Sequence, residues 1–577
     1  MLYYLVMEEH IKSALLNAIQ KLGFPPVAVE IDRPANQKFG NYSSNVALQL
    51  DRAEGENPEM LASRIAGILE KPAGVSKVEV VRPGFINFFL SEDYLRGCVE
   101  GIIKGGALYG RNDTHKGEKI LIEYTDPNPF KELHIGHLMS NAIGESLSRV
   151  FEYSGAEVKR ANYQGDVGLH VAKAIWGWFS LMREGQMKPE TLGNFSLEDR
   201  ASALGTFYVR GAMAYEDDAT GEVRKEIEEL NKKIYEKTDG KINELYEYGR
   251  AWSLEKFEEI YKRLGTKFDF YFFESETGIF GKEVVEEHIE DGVFERSDGA
   301  VVFRGEKYGL HTRGFVTASS LPTYEAKELG LAQTKFKRYP YDISFVVTGN
   351  EIVEYFKVLL AAMKLIFPGI AEKTRHIPHG MLRLPTGKMS SRKGEVISAE
   401  ELIKEVKKLI LSKMGDRISK EKQEEVAFQV AVGALKYAML KQASGRDIIF
   451  DFEKSLSFEG SSGPYLQYTF ARTRSVLEKA KQEGVVGGTK EGVASSGLEG
   501  LLERFPDIVL NAQKEYASHH ITNYLLELAQ AFNNFYAKEK IVGAEKDSSY
   551  KIALTEAVSV VLKNGLWLLG IPAPERM

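Results

Sequence analysis

Apolar positions recur along this chain in two periods, and the period changes from zone to zone. Near the start Ile11, Leu15, Leu16, Ile19 and Leu22 fall at helical spacing. The turn-rich stretch KFGNYSSNVALQL follows, and then two alternating runs, VSKVEVVRP and GFINFFL, predict strands. Residues 1–110 therefore read as a small α+β domain. A β-like run, KILIEYT, opens the next zone at residues 119–125. A proline-rich loop follows, and Leu138, Ala142, Ile143, Leu147, Val150 and Phe151 then mark a helix. The run AEVKRANY, ending at Tyr163, predicts the next strand. Strand, loop, helix, strand is the βαβ unit of a doubly wound parallel sheet. Further on, YDISFVVTGN predicts another strand, with an amphipathic helix running through Leu365.

Residues 111–375 thus form an α/β core, interrupted by an insertion at about 175–290. The middle of that insertion, GEVRKEIEELNKKIYEKTDGKINELYEYGR, is helical in pattern and strongly charged, so a solvated connector with i,i+4 ion pairs is expected. Residues 376–420 connect, and 421–577 are all-helical, with VAFQVAVGALKYAMLKQA and LLELAQAFNNFYAKEK as amphipathic helices. The glycine-rich EGVVGGTKEGVASSG is expected to be a mobile link. No internal repeat is evident.

Composition narrows the class. A length of 577 residues exceeds one ordinary core. With 43% hydrophobic and 27% charged residues the balance is that of a soluble globular protein. The net charge of −7 excludes a globally basic coat, though not a local basic surface. One cysteine, Cys98, cannot make an intramolecular disulfide or a cysteine-based zinc site. No signal peptide and no uncharged apolar run of spanning length is present; Lys563 interrupts the best candidate. A soluble cytoplasmic protein without a membrane or DNA partner is expected.

Two segments carry chemistry. The first, Glu123 to His137, lies where a parallel strand ends and a helix begins, a place where unpaired N–H groups and the helix dipole favour phosphate. His134 and His137 flank Gly136, which would let a planar adenine or ribose approach the backbone, and the imidazoles can donate to phosphate oxygens. Lys131 adds a charge. Alone, this pair is equally readable as structural histidines, and it lacks a local third ligand for zinc. The second segment, Gly387-Lys-Met-Ser-Ser-Arg-Lys-Gly394, is a glycine-bounded basic loop that could close over a triphosphate. Alone, it reads as a solvated turn. No Walker A pattern occurs.

In this order and spacing, His-Ile-Gly-His followed by Lys-Met-Ser-Ser resembles the paired signature of class I aminoacyl-tRNA synthetases, and the chain is most similar within them to the arginyl-tRNA synthetase family. The resemblance extends through FGNYSSNVALQL, GFINFFL, NYQGDVGLH, LPTYEAKELGLA, KYAMLKQASGRDIIFDFEKSLSFEGSSGPYLQYTFARTR and the closing LLGIPAPERM. It implies a Rossmann-like core with an N-terminal α+β domain and a C-terminal all-α anticodon-binding bundle. It implies ATP-dependent activation of L-arginine, transfer to the terminal adenosine of tRNA-Arg, and Mg²⁺ accompanying the ATP phosphates, with no structural zinc. ATP-binding roles would fall to His134, Gly136, His137, Lys388, Met389 and Ser390. Ser391 stands where the class pattern has its second lysine, and Lys131 would supply the missing charge. Glu123, Asn128, Tyr324 and Glu328 would form the arginine pocket, with Asn350 toward the substrate ammonium. The family more often has Asp at position 328, so the longer side chain calls for a slightly retracted backbone. Tyr324 and Glu328 would share one helical face. A guanidinium fork meets carboxylates bidentately where lysine cannot. On the tRNA side the resemblance points to Tyr465, Tyr468, Arg472, Arg474, Asn533 and Tyr536, as aromatics for stacking and groups for base edges, whereas Leu528 and Phe532 read as core. The basic run KEVKKLILSKMGDRISKEK could track the tRNA backbone. A monomer is expected. A glutamyl or lysyl class I ligase, a small-molecule nucleotidyltransferase and a non-catalytic tRNA-binding relative are the other readings of the same motifs.

Overall fold

The computed structural model describes residues 6–34, 36–54, 57–185, 195–383, 398–414, 419–489, 495–543 and 547–577. The signature loop at Lys388, Met389 and Ser390, and part of the glycine-rich link, lie outside the described residues.

At the amino end three antiparallel strands, β1 (Tyr42–Ser44), β2 (Val75–Val81) and β3 (Phe85–Leu90), align in the order β1-β3-β2. The helices Val6–Lys21 and Pro58–Ile68 cover them through a core of Met7, Ile11, Leu15, Ile65 and Phe88. The following helix, Glu92–Gly105, packs instead against the last helices of the chain.

The central sheet holds β4 (Lys119–Glu123), β5 (Glu157–Gln164), β6 (Phe270–Phe273), β10 (Ile343–Gly349) and β11 (Thr374–His379), all parallel. Ile120, Leu121 and Ile122 are buried on both faces, as a strand covered by helices on each side requires. The spatial order is β11-β10-β4-β5-β6. The chain therefore runs outward from β4 in one direction, then returns to begin the other side at β10. That reversal leaves a crevice beyond the carboxyl ends of β4 and β10, where ligands bind in doubly wound sheets.

Between β5 and β6 the insertion folds into the helices Leu169–Arg183, Leu197–Glu216, Glu222–Glu236 and Gly240–Leu264. The charged helix Glu222–Glu236 differs from the solvated connector expected of it. Ile227, Leu230 and Ile234 form a narrow apolar stripe buried with Trp178 and Phe207. Its charges sit on the outer face and disguise that stripe. Gly177 and Gly211 let two of these helices touch at backbone distance: a Cβ on Gly211 would stand 1.9 Å from the Lys173 carbonyl. A three-stranded sheet, β7 (Glu295–Ser297), β8 (Ala300–Phe303) and β9 (Arg313–Val316), follows β6.

The carboxyl-terminal helices include Lys420–Leu440, Gly463–Gln482, His519–Lys538 and Ser548–Leu568. Leu528 and Phe532 are buried in their core. The first and last domains are clamped together by Arg33. It donates to Asp507 at 2.7 Å and Glu503 at 2.6 Å, while Tyr42 donates to Glu503 at 2.7 Å.

Candidate active site

The loop after β4 carries three non-glycine residues at positive φ, Thr125 (79°), Asp126 (44°) and Phe130 (67°). Such backbone costs about 1–3 kcal/mol per residue and persists only where its surroundings enforce it. Here the Phe130 ring is seated against Gly249, whose added Cβ would stand 2.1 Å from it, and the Phe130 N–H donates to Ser253 Oγ at 2.9 Å.

The loop delivers His134 to the N-cap of the helix Ile135–Tyr153. His134 Nδ1 accepts from the Gly136 N–H at 3.1 Å, and His137 Nδ1 accepts from the His134 N–H at 3.0 Å. This reciprocal capping box uses imidazoles in place of the usual Ser and Glu. It also fixes the tautomers: with Nδ1 accepting on each ring, the proton sits on Nε2. The rings stack with centroids 3.7 Å apart. Burial and the nearby Lys131 hold both below the ordinary histidine value. Two neutral rings therefore present N–H donors at a positive helix end. Gly136 is required by His134 itself, since a Cβ there would lie 2.9 Å from the imidazole. Lys131 lies 4.7 Å over the Tyr208 ring, on the insertion side of the same crevice.

The signature loop's two ends are fixed nearby. Leu382–Arg383 pairs with Ile448–Ile449, and at the other end Ser398 bridges His134 while the Ala399 N–H donates to the Leu133 carbonyl at 2.7 Å.

Beyond the histidines is an acidic pocket. Glu123 ends β4 and is buried against Lys335, 2.6 Å away. Tyr324 begins the helix Tyr324–Arg338, and Glu328 lies one turn on, so the shared face holds. Tyr324 is exposed, and Glu328 is partly buried. Burial and Glu123 push the Glu328 carboxyl up to about 8. Asp126, which accepts from the Tyr163 N–H at 2.7 Å, is raised well above the carboxyl range for the same two reasons. Asn128 faces Gly165, where an added Cβ would stand 2.1 Å from its Oδ1 and 3.4 Å from the Glu274 carboxyl carbon. Asn350 is exposed just past β10, in a short 3₁₀ turn.

Glu274 belongs to this pocket and was not foreseen. It is buried at the carboxyl end of β6 and paired with Lys327 at 2.5 Å. Next to it, the buried Asp166 accepts from Ser275 N at 2.9 Å, Tyr246 at 3.0 Å and Arg250 at 2.9 Å, which fixes the start of the Glu274 helix. The helices Glu274–Glu287 and Tyr324–Arg338 touch at backbone distance; a Cβ on Gly281 would stand 1.8 Å from the Ala326 carbonyl. The pocket thus balances two lysine–glutamate pairs with two carboxyls that burial favours in the protonated form.

On the helical domain, Asn533 donates to Tyr465 Oη and Thr469 Oγ1, each at 2.9 Å, and Arg472 donates to Asn533 Oδ1. Arg472 lies between the rings of Tyr468 (4.8 Å) and Tyr536 (4.9 Å). Five of the six expected tRNA contacts form this one patch. Arg474 points elsewhere, 3.7 Å from Glu575. In the basic run after the loop, Lys404 and Lys407 pair with Glu198 and Glu424.

A family model described as tRNA synthetases class I (R), catalytic domain, matches residues 99–452. The chain belongs to the arginyl-tRNA synthetase family. Models for the arginyl-tRNA synthetase N-terminal domain and the DALR anticodon-binding domain match residues 7–90 and 466–577 of this family member. The chain is 30% identical over 602 residues to the arginine–tRNA ligase of Parabacteroides distasonis, covering 99% of this chain and 100% of that one. It is 31% identical over 558 residues to that of Clostridium acetobutylicum, covering 95% and 96%. Its fold resembles Thermus thermophilus arginyl-tRNA synthetase, with TM-score 0.78, 24% identity, and 99% and 100% of the two chains covered. The Plasmodium falciparum arginyl-tRNA synthetase matches with TM-score 0.76 at 20% identity, covering 99% of each. The arginyl-tRNA synthetase architecture, a parallel-sheet core between an N-terminal domain and a helical DALR domain, is the one described above.

Proposed function

We propose that this chain is an arginine–tRNA ligase whose arginine seat is the carboxyl pocket of Glu123, Asn128, Glu274, Tyr324 and Glu328. The observation that carries the reading is the juxtaposition, at one switch point, of a stacked pair of Nε2–H imidazoles and a pocket with two ionisable carboxyls to spare.

Arginine's carboxylate attacks the α-phosphorus of ATP, the bond to the β-phosphate oxygen breaks, and pyrophosphate leaves. The nucleophile is already charged, so no general base is called for. Positioning and charge stabilisation do the catalysis. His134 and His137 donate from Nε2 to phosphate oxygens as charge accumulates, and the helix N-terminus behind them adds its dipole. Lys388 and Lys131 neutralise the departing pyrophosphate, Met389 and Ser390 share in binding ATP, and Gly136 leaves room beside the ring. Asn128 and Asn350 orient the amino-acid end. The 2′-hydroxyl of the terminal adenosine then attacks the arginyl carbonyl, the bond from that carbon to the AMP phosphate oxygen breaks, AMP departs, and the hydroxyl proton is released.

Among the described residues no group of three or more His, Cys, Asp and Glu is arranged for a metal. Mg²⁺ would accompany ATP, held by phosphate oxygens and water, where it would supply charge neutralisation. Tyr465, Tyr468, Arg472, Asn533 and Tyr536 suit anticodon bases, and Arg474 the adjoining backbone. One chain contains every part, which supports a monomer, and no described helix is long and apolar enough to cross a membrane. On this reading the reaction takes place in the cytoplasm, where tRNA and ATP meet.

ATP–pyrophosphate exchange tests the reading. It should require arginine and, from the family resemblance, tRNA-Arg. Full exchange without tRNA would overturn the tRNA requirement, and no exchange under any combination would overturn the ligase assignment.

A further inference from the structure

A second groove, of about 780 Å³, lies away from the crevice, between the end of the helix Gly240–Leu264, the helix Lys420–Leu440 and the chain's last segment. Its walls are cationic and aromatic in a protein of net charge −7. On one wall Arg149 backs the Trp567 ring, with its guanidinium 5.2 Å from the ring centroid. Three contacts fix that arginine: Glu145 at 2.7 Å, the Trp567 carbonyl at 2.9 Å and the Gly265 carbonyl at 3.0 Å. On the other wall Arg263 lies 4.8 Å over the Phe428 ring. Lys262 and Lys563 are exposed at the rim, and neither has a carboxylate partner among the described residues. Of the two carboxylates lining the groove, Glu259 is already shared with Arg263 (3.6 Å) and Lys256 (3.4 Å), and Glu425 accepts from Gln429 at 3.2 Å. Trp567 is 38% exposed although it is a large aromatic near the end of the largely buried helix Ser548–Leu568. An exposed ring braced by an arginine, with unpaired lysines beside it, suits a polyanion that carries flat or sugar surfaces.

The groove is also anchored to the helical domain. Its floor includes Gln429 and Pro572, whose carbonyls accept from Gln467 at 3.0 and 2.8 Å. Gln467 belongs to the helix Gly463–Gln482, which carries Tyr465, Tyr468 and Arg472. The groove's floor is therefore tied to the helix that carries the aromatic patch of the helical domain.

We propose that this groove is a contact surface for the ribose–phosphate backbone of the tRNA, with Lys262 and Lys563 on phosphates and Trp567 as the platform for a ribose or an unstacked base. This rests on the ligase reading. It assigns to the reaction a set of residues that touch neither arginine nor ATP and lie in neither signature segment.

The test is the salt dependence of tRNA-Arg binding, by fluorescence anisotropy with the full chain, for the unaltered protein and for Lys262→Glu, Lys563→Glu and Trp567→Ala. All three side chains face solvent, and thermal unfolding checks that the variants fold. Each lysine reversal should reduce the slope of log K against log [salt] by about 0.7–0.9 or more. Trp567→Ala should weaken binding about five-fold or more. The KM for tRNA should rise in all three while those for arginine and ATP stay put. Unchanged slopes and tRNA KM in variants that still charge would overturn the groove and leave the ligase reading standing. Failure of the unaltered chain to charge tRNA-Arg would overturn the ligase reading itself. Loss of polyglutamate binding with intact tRNA binding would give the groove to an acidic protein instead, also overturning the proposal.

Discussion

Arginine binding should expel a proton from Glu328. Burial and the Glu123 charge push this carboxyl up to about 8, so at pH 7 about nine-tenths of the molecules carry it protonated. A guanidinium beside it favours the carboxylate through opposite charge and charge-assisted hydrogen bonds. Each pH unit below 8 should then weaken arginine binding about tenfold, or about 1.4 kcal/mol, until the bound-state value is reached. The same group acts on stability with the opposite sense. Between the ordinary carboxyl value of 4.5 and about 8 the folded chain holds more protons than the unfolded one, so stability falls as pH rises through that window. Saturating arginine should offset that fall. Isothermal titration at pH 7 in two buffers of different ionisation enthalpy reads the proton count directly: about 0.9 proton released per arginine is expected. Asp126 is also raised, so Glu328→Gln is needed to assign the proton. The variant should bind arginine more weakly, release far less proton and lose most of the pH dependence below 8. No buffer dependence in the unaltered chain, or an undiminished release from Glu328→Gln, would refute the reasoning.

Other consequences follow from the same geometry. Lys335→Met leaves Glu123 buried without its partner at 2.6 Å and should cost about 3–5 kcal/mol in denaturant unfolding, with the loss smaller when arginine is bound; a loss unaffected by arginine would place Glu123 outside the substrate seat. Gly281→Ala forces a methyl into the Ala326 carbonyl and should raise the KM for arginine while leaving that for tRNA unchanged, because it separates the helices carrying Glu274 and Glu328. Lys388→Ala should slow adenylate formation, measured by single-turnover quench, by a hundredfold or more on the scale of about 3 kcal/mol for one charge-stabilising contact, with tRNA affinity nearly intact; equal loss of both would mean misfolding.

The sequence was most legible where a single period or motif decides the structure. β4 and β10 announce themselves as apolar runs, β5 reads as a strand from AEVKRANY, and the histidine pair marks the strand-to-helix junction at Ile135. Tyr324 and Glu328 share a face because a helix puts positions four apart together. β6 escaped notice because its aromatic run, Phe270 to Phe273, falls inside a long charged insertion and is only four residues long. Glu274 was missed with it, although a carboxylate at a strand's carboxyl end beside an aromatic run is a usable signal. Lys327 and Lys335 look like ordinary surface lysines on an amphipathic helix, and only the fold reveals that each is buried against a glutamate at the carboxyl end of a different strand. The Arg33 clamp joins residues about 470 positions apart, beyond any local pattern.

The pocket's claim to read a guanidinium can be tested with one panel: charging of unfractionated tRNA with each of the twenty amino acids in turn. The account predicts acid-precipitable charging with arginine alone, with lysine at background because one ammonium cannot satisfy carboxyls placed for a planar fork. Comparable charging with lysine, or with any amino acid lacking the fork, would contradict it.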